Sequence, residues 1–194
     1  MNKLILASSS AYRKALLERL QLPFECCSPD IDESPLEAES AHQQAERLAL
    51  QKARAVAEKY PEAIIIGSDQ VAELKVSDKP CAILGKPGNH VQAVKQLAAQ
   101  SGQSVSFHSG LAVIYGGVEK SVVDSTEVEF RELTEEQIEH YLSIEKPYDC
   151  AGSFKAESLG ISLFKAVNSN DPSSLIGLPL IALCKLLREF DIEI

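Results

Sequence analysis

Ala63-Ile64-Ile65-Ile66-Gly67-Ser68-Asp69-Gln70 decides how this chain is read. Four apolar residues, three of them isoleucine, are too few for a helix and suit a strand buried on both faces. The strand is expected to stop at Gly67 and hand over to Ser68-Asp69-Gln70. A carboxylate just beyond a buried strand sits where α/β folds place their ligands. Upstream, Leu48, Ala49, Ala53, Val56 and Ala57 recur at helical spacing. They predict a helix from about Ala41 to Tyr60, ended by Pro61. Lys52 falls on that same stripe, so it is directed inward or to a cleft edge.

Further upstream, Lys3 to Ala7 reads as a first strand. Ser8-Ser9-Ser10 and a helix marked by Leu16, Leu17 and Leu20 follow, with Phe24 to Cys27 as a short second strand. A serine loop entering a helix N-terminus offers N–H groups and a favourable dipole to an anion. Arg13 would add a fork matched to phosphate oxygens. Ser10 equally suits a plain helix cap. The segment Pro29 to Pro35 is an acidic loop with Asp30, Asp32 and Glu33.

Downstream, Val71 to Leu84 reads as a hairpin or loop around Asp78-Lys79-Pro80, closed by Gly85-Lys86-Pro87. Val91, Val94, Leu97 and Ala98 predict a helix stopped by Gly102. Val105 to Tyr115 and Val122 to Phe130 predict an antiparallel hairpin about Gly116-Gly117. Thr134 to Gln137 is a capping-box signature ahead of Ile138, Tyr141 and Leu142. Ile161 to Val167 reads as a strand, Asp171-Pro172 as a turn or short helix, and Leu180, Leu183, Cys184 and Leu187 as a last helix after Pro179. The order predicts an α/β domain with a mixed sheet flanked by helices.

Composition narrows the function. With 194 residues, 45% hydrophobic, the chain can bury a core. A net charge of −9 argues against nucleic acid and anionic membranes as partners. No apolar run approaches a membrane span and no leader peptide stands at Met1, so the chain is expected in the cytoplasm. Five cysteines without a C-x-x-C pair, and four histidines without ligand spacing, give neither a disulfide framework nor a zinc site. Gly85-Lys86-Pro87 is no Walker loop, and Ser158-Leu159-Gly160 is no nucleophile elbow. What remains is a set of cations (Arg13, Lys52, Lys86) and carboxylates (Glu33, Asp69) that suits metal-assisted attack on a phosphoanhydride, provided the residues converge.

In order and spacing these pieces resemble the Maf family of nucleoside triphosphate pyrophosphatases, from Lys3 to Arg188. The resemblance rests on Leu6 to Arg13, Asp32-Glu33, Lys52, Gly67 to Gln70, Gly85-Lys86-Pro87, Cys150-Ala151-Gly152-Ser153-Phe154 and Gly177-Leu178-Pro179-Leu180. It implies a Maf/ITPase-like α/β fold, an elongated, twisted mixed sheet flanked by helices with a central cleft. Residues 1–194 would form a single domain of two lobes around that cleft. It implies hydrolysis of a nucleoside triphosphate to monophosphate and diphosphate, with Mg²⁺ or Mn²⁺. Asp69 would be the proton acceptor, Glu33 and Asp69 the metal ligands, and Ser8, Ser10, Arg13, Lys52 and Lys86 the phosphate ligands. Tyr12, Gln70 and Glu157 match the subfamily hydrolysing 7-methyl-GTP rather than the one acting on dTTP and UTP. Tyr12 could stack on the cationic base, and Glu157 could accept from the guanine N–H groups. Ala11 stands where proline is usual, Tyr12 where tryptophan is commoner, and the 71–84 segment is longer than usual. Rival readings are a pyrophosphatase for dTTP/UTP or other non-canonical nucleotides, and a nucleotide-binding regulator of septum formation. A homodimer is compatible with the resemblance.

Overall fold

A computed structural model describes residues 3–75 and 81–194. In chain order the elements are β1 (Leu4–Ala7), α1 (Ala11–Glu18), β2 (Phe24–Cys26), α2 (Ala41–Ala57), β3 (Ile64–Lys75), β4 (Ala82–Leu84), α3 (His90–Gln100), β5 (Ser104–Tyr115), β6 (Val118–Phe130), α4 (Glu135–Glu145), β7 (Phe164–Asn168) and α5 (Leu180–Arg188). The seven strands form one mixed sheet in the order β2-β1-β3-β5-β6-β7, with β4 on β3. The chain divides into two compact units. One comprises Met1–Gln70, His108–Asp124 and Asp171–Ile194, the other Val71–Phe107 and Ser125–Asn170.

In the first unit β1 pairs in parallel with β2 and with β3, Leu4 opposite Ile64 and Ala7 opposite Gly67. Strand side chains alternate between faces, and here both faces are covered. Ile5, Ala7 and Ile65 pack with Ala49, Ala53 and Val56 of α2. Leu4, Leu6, Ile64 and Ile66 pack with Leu16 and Leu17 of α1 and Leu183, Leu186 and Leu187 of α5. That is why these strands read as unbroken apolar runs.

β3 does not stop at Gly67, as the sequence suggests. It runs through Ser68-Asp69-Gln70 to Lys75, so Asp69 lies inside a strand. Gly67 looks like a turn residue, but a steric need explains it. A Cβ at Gly67 would lie 2.2 Å from the Ala49 carbonyl oxygen, and one at Gly110 2.1 Å from that of Ala45. The two glycines let α2 lie directly on the strands. β1 pairs with β3 only as far as Gly67, and β4 pairs with it only from Ala72, so Ser68 to Val71 pairs with neither of them.

In the second unit β3 and β4 pair antiparallel, Ala72 opposite Leu84, as the predicted hairpin requires. Its turn at Asp78-Lys79-Pro80 lies outside the described residues. Phe107, Phe130, Phe154 and Phe164 stack edge to face in this unit. The capping box at Thr134–Gln137 forms as expected. α3 is rotated from its predicted phase. Ala93, Leu97 and Gln100 are buried, whereas Val91 and Ala98 are exposed.

Other boundaries shift. α2 ends at Ala57, before Pro61, and β6 starts at Val118, because Gly116 and Gly117, with φ of 57° and 78°, make a two-residue hairpin turn. The predicted strand at Ile161 opens instead as a 3-10 turn (Leu159–Leu163), and only Phe164–Asn168 pairs, with β6. Among the described residues no helix is long and apolar enough to cross a membrane.

Candidate active site

The alanine ridge of α2 against Gly67 carries Lys52 over β3, where its ammonium meets Asp69. The Lys52 Nζ donates to Asp69 Oδ1 at 2.5 Å and lies 2.7 Å from Glu33 Oε1. Lys52 and Asp69 are nearly buried, with side chains 7% and 11% exposed, while Glu33 reaches in from an exposed loop. Its neighbour Asp32 is turned to local use: its Oδ1 accepts the Ser34 N–H at 2.9 Å, and the Ser34 side chain together with that N–H holds the carboxyl below its ordinary pKa.

Arg13 joins from α1. Its Nε donates to the Gly177 carbonyl at 2.9 Å, and its Nη2 lies 3.9 Å from Asp69 Oδ1. Burial draws its pKa down, against the opposing pull of Asp69 and Glu33. A guanidinium stays charged under such a shift, so the cluster holds two cations and two carboxylates in balance.

The serine loop is structured by its own hydroxyls. Ser8 Oγ accepts the Ser10 N–H at 3.1 Å, and Ser10 Oγ accepts the Arg13 N–H at 3.4 Å as the N-cap of α1. The capping alternative for Ser10 is therefore realised, and each hydroxyl keeps a proton to donate. Tyr12 is half-buried in the first turn of α1. Gln70 directs its amide nitrogen at Ser109 Oγ and at the carbonyls of Ser174 and Leu175, 3.0 to 3.1 Å away. Its nitrogen is committed to this unit, and its oxygen is what it offers a ligand.

Lys86 and Glu157 belong to the second unit. Lys86 is exposed on the turn between β4 and α3, and among the described residues it pairs with no carboxylate. Glu157 is exposed on a turn fastened to α4. The Tyr141 hydroxyl accepts the Lys155 N–H at 3.1 Å, and Glu145 Oε1 accepts the Leu159 N–H at 3.0 Å. Burial pushes the Tyr141 phenol well above its ordinary pKa, so it stays neutral.

Sequence reasoning missed two supports. Ser68 Oγ lies 2.8 Å from the Gly110 carbonyl and 3.0 Å from that of Gly177. The Gly177 carbonyl thus serves both Ser68 and Arg13, tying α1 to β3. The Gly177-Leu178-Pro179-Leu180 motif was the available signal, although a backbone acceptor cannot be read from side-chain types.

A family model described as "Maf-like protein" matches residues 3–190. The chain belongs to the Maf family. It is 51% identical over 187 residues to a 7-methyl-GTP pyrophosphatase of Polaromonas sp., covering 95% of this chain and 83% of that one. It is 54% identical to a protein of that name from Pseudomonas savastanoi pv. phaseolicola, covering 96% of each chain. Among solved structures, a HAM1 protein from Coxiella burnetii matches with a TM-score of 0.53 at 17% identity, over 97% of this chain and 100% of that one. That likeness concerns the fold alone, and it agrees with the expected α/β architecture of this Maf-family chain.

A divalent cation fits the first-unit cluster. Asp69 and Glu33 are hard oxygen donors, and their oxygens already converge on one positive charge, the Lys52 ammonium. Among the described residues no group of three or more His, Cys, Asp or Glu could hold a metal. Two carboxylates, with phosphate oxygens and water to complete the shell, is the pattern of Mg²⁺ rather than of an all-protein cage.

Proposed function

We propose that the chain is a nucleoside triphosphate pyrophosphatase that converts 7-methyl-GTP to 7-methyl-GMP and diphosphate in the cytoplasm. The observation that carries this reading is the Arg13–Asp69–Lys52–Glu33 cluster, found in a chain about half identical to proteins named for that reaction. Asp69 takes a proton from water as its oxygen bonds to the α-phosphorus. The bond from that phosphorus to the β-phosphate oxygen breaks, and diphosphate leaves with the electron pair. Arg13, Lys52 and Lys86 bind the triphosphate, with Ser8 and Ser10 donating at its oxygens. Asp69 and Glu33 would hold Mg²⁺ or Mn²⁺, which when bound would supply charge neutralisation for the departing diphosphate.

Lys52 has a second task here. The Asp69 oxygen that accepts from the Lys52 ammonium is occupied by it and not open to a water proton. We take the ammonium to turn from Asp69 and Glu33 to the incoming phosphate oxygens, which frees both carboxylates when substrate binds. For the base, Tyr12 offers a stacking face to the methylated, cationic ring, Glu157 accepts its N–H groups, and Gln70 contributes its oxygen.

The test is a panel of canonical and modified triphosphates with Mg²⁺ or Mn²⁺, run in ¹⁸O-water. The expected result is preferential turnover of 7-methyl-GTP, with label in the monophosphate. Faster turnover of dTTP or UTP overturns the substrate. Label in the diphosphate overturns attack at the α-phosphorus. Binding without any turnover favours a nucleotide-binding regulator.

A further inference from the structure

The Cys150-Ala151-Gly152-Ser153-Phe154 motif has no role in the reaction described above. Its surroundings in the second unit supply one. α3 meets the motif through two amides on one face, a turn apart. Gln100 Nε2 donates to the Gly152 carbonyl at 2.8 Å, and Gln96 Oε1 accepts from Ser153 Oγ at 2.5 Å. The motif cannot shift easily. Gly152 has φ of 76°, Ser153 has φ of 64° and is fully buried, and Phe154 is locked among Phe107, Phe130 and Phe164.

The other end of the Gln96 amide leaves the motif. Its Nε2 donates to the Gly85 carbonyl at 3.0 Å. Two residues on, Pro87 is buried, and the Gly88 N–H donates to the Tyr148 carbonyl at 2.9 Å, with Gly88 at φ 72°. The Tyr148 hydroxyl lies 3.1 Å from His90 Nδ1, and His90 Nε2 lies 2.8 Å from Glu139 Oε2 on α4. Lys86 is the exposed residue between these anchors. A flexible lysine is aimed only as well as its backbone is held, and small misplacements of a charge at a reacting centre are costly.

We infer that Gln96 and Ser153 are positioning residues, which fix the Gly85–Gly88 turn through the Gly85 carbonyl and so aim Lys86. The inference rests on the reading of Lys86 as a phosphate-binding cation. An amide is required at position 96 because it must accept from Ser153 and donate to Gly85 at once. A carboxylate keeps the first bond and loses the second.

The experiment uses the full chain and the variants Gln96→Met, Gln96→Glu, Lys86→Ala and the double variants. Hydrogen exchange across residues 84–90 of the unliganded protein reads the clamp. kcat/KM for 7-methyl-GTP reads its use. Both Gln96 variants are expected to speed exchange in that segment and to lower kcat/KM by about tenfold, and to add less than about twofold in the Lys86→Ala background, as coupled residues do. A merely structural role would give effects that multiply in that background, and this overturns the inference. Unchanged exchange in both Gln96 variants removes the clamp alone. A Lys86→Ala variant with wild-type kcat/KM removes the phosphate role of Lys86, and the use of the clamp with it.

Discussion

Asp69 has Lys52 at 2.5 Å and Arg13 at 3.9 Å. Replacing it by Asn keeps the shape, removes the base and leaves both cations for phosphate. Asp69→Asn is therefore expected to lower kcat by about 10²- to 10⁴-fold, with 7-methyl-GTP binding retained in calorimetry. Loss of binding in step with kcat would instead make Asp69 an anchor of the site. Glu157→Gln should narrow the preference for 7-methyl-GTP over GTP in competition assays, since the neutral amide no longer counters the methylated base. At this scale the inward aim of Lys52 was legible, because helical spacing alone puts it on the buried stripe. The partners of Gln70 were not, because Ser109 and Ser174 are brought to it by strand order and chain return.

Helix α2 and strand β3 depend on the room that Gly67 leaves. Gly67→Ala drives a methyl toward the Ala49 carbonyl oxygen and is expected to cost about 1–3 kcal/mol or more, read as a lowered denaturation midpoint. A variant as stable as the wild type would show that α2 can lift away. α4 gives a pH dependence. The Leu159 N–H, Ser158 and Lys155 hold the Glu145 carboxyl below its ordinary value of 4.5. A depressed carboxyl stabilises fully above that value, and the contribution is lost as pH falls through the folded-state pKa. Thermal melts of wild type and Glu145→Gln should therefore differ at neutral pH and converge as pH falls below 4.5 and through the folded-state pKa. The rotated phase of α3 shows the limit of periodicity. Gln100 holds the inward face and Gln96 stays half-buried beside it, each amide with a fixed partner, whereas Val91, which apolar spacing turned inward, is exposed.

For the whole molecule, the net charge of −9 meets a substrate of the same sign. In the first-unit cluster the cations are already balanced by carboxylates. Removing divalent metal with a chelator should thus abolish turnover and weaken binding of the triphosphate more than of the monophosphate, measured by calorimetry. Equal affinities with and without metal would disconnect the cation from binding. The α/β class, the hairpins and most helices were legible because the apolar pattern is strong. The length of β3 was not, because a glycine needed for close packing reads like one needed for a turn.

That close packing leaves a mark that remote relatives should share even where chemistry has diverged. Ala45, Ala49 and Ala53, four apart, face Gly67 and Gly110 with no volume to spare. Drift at these five positions should be confined to the smallest side chains. A steric fingerprint of this kind, small residues at fixed intervals matched to two glycines on neighbouring strands, would trace descent where the charged residues have been exchanged.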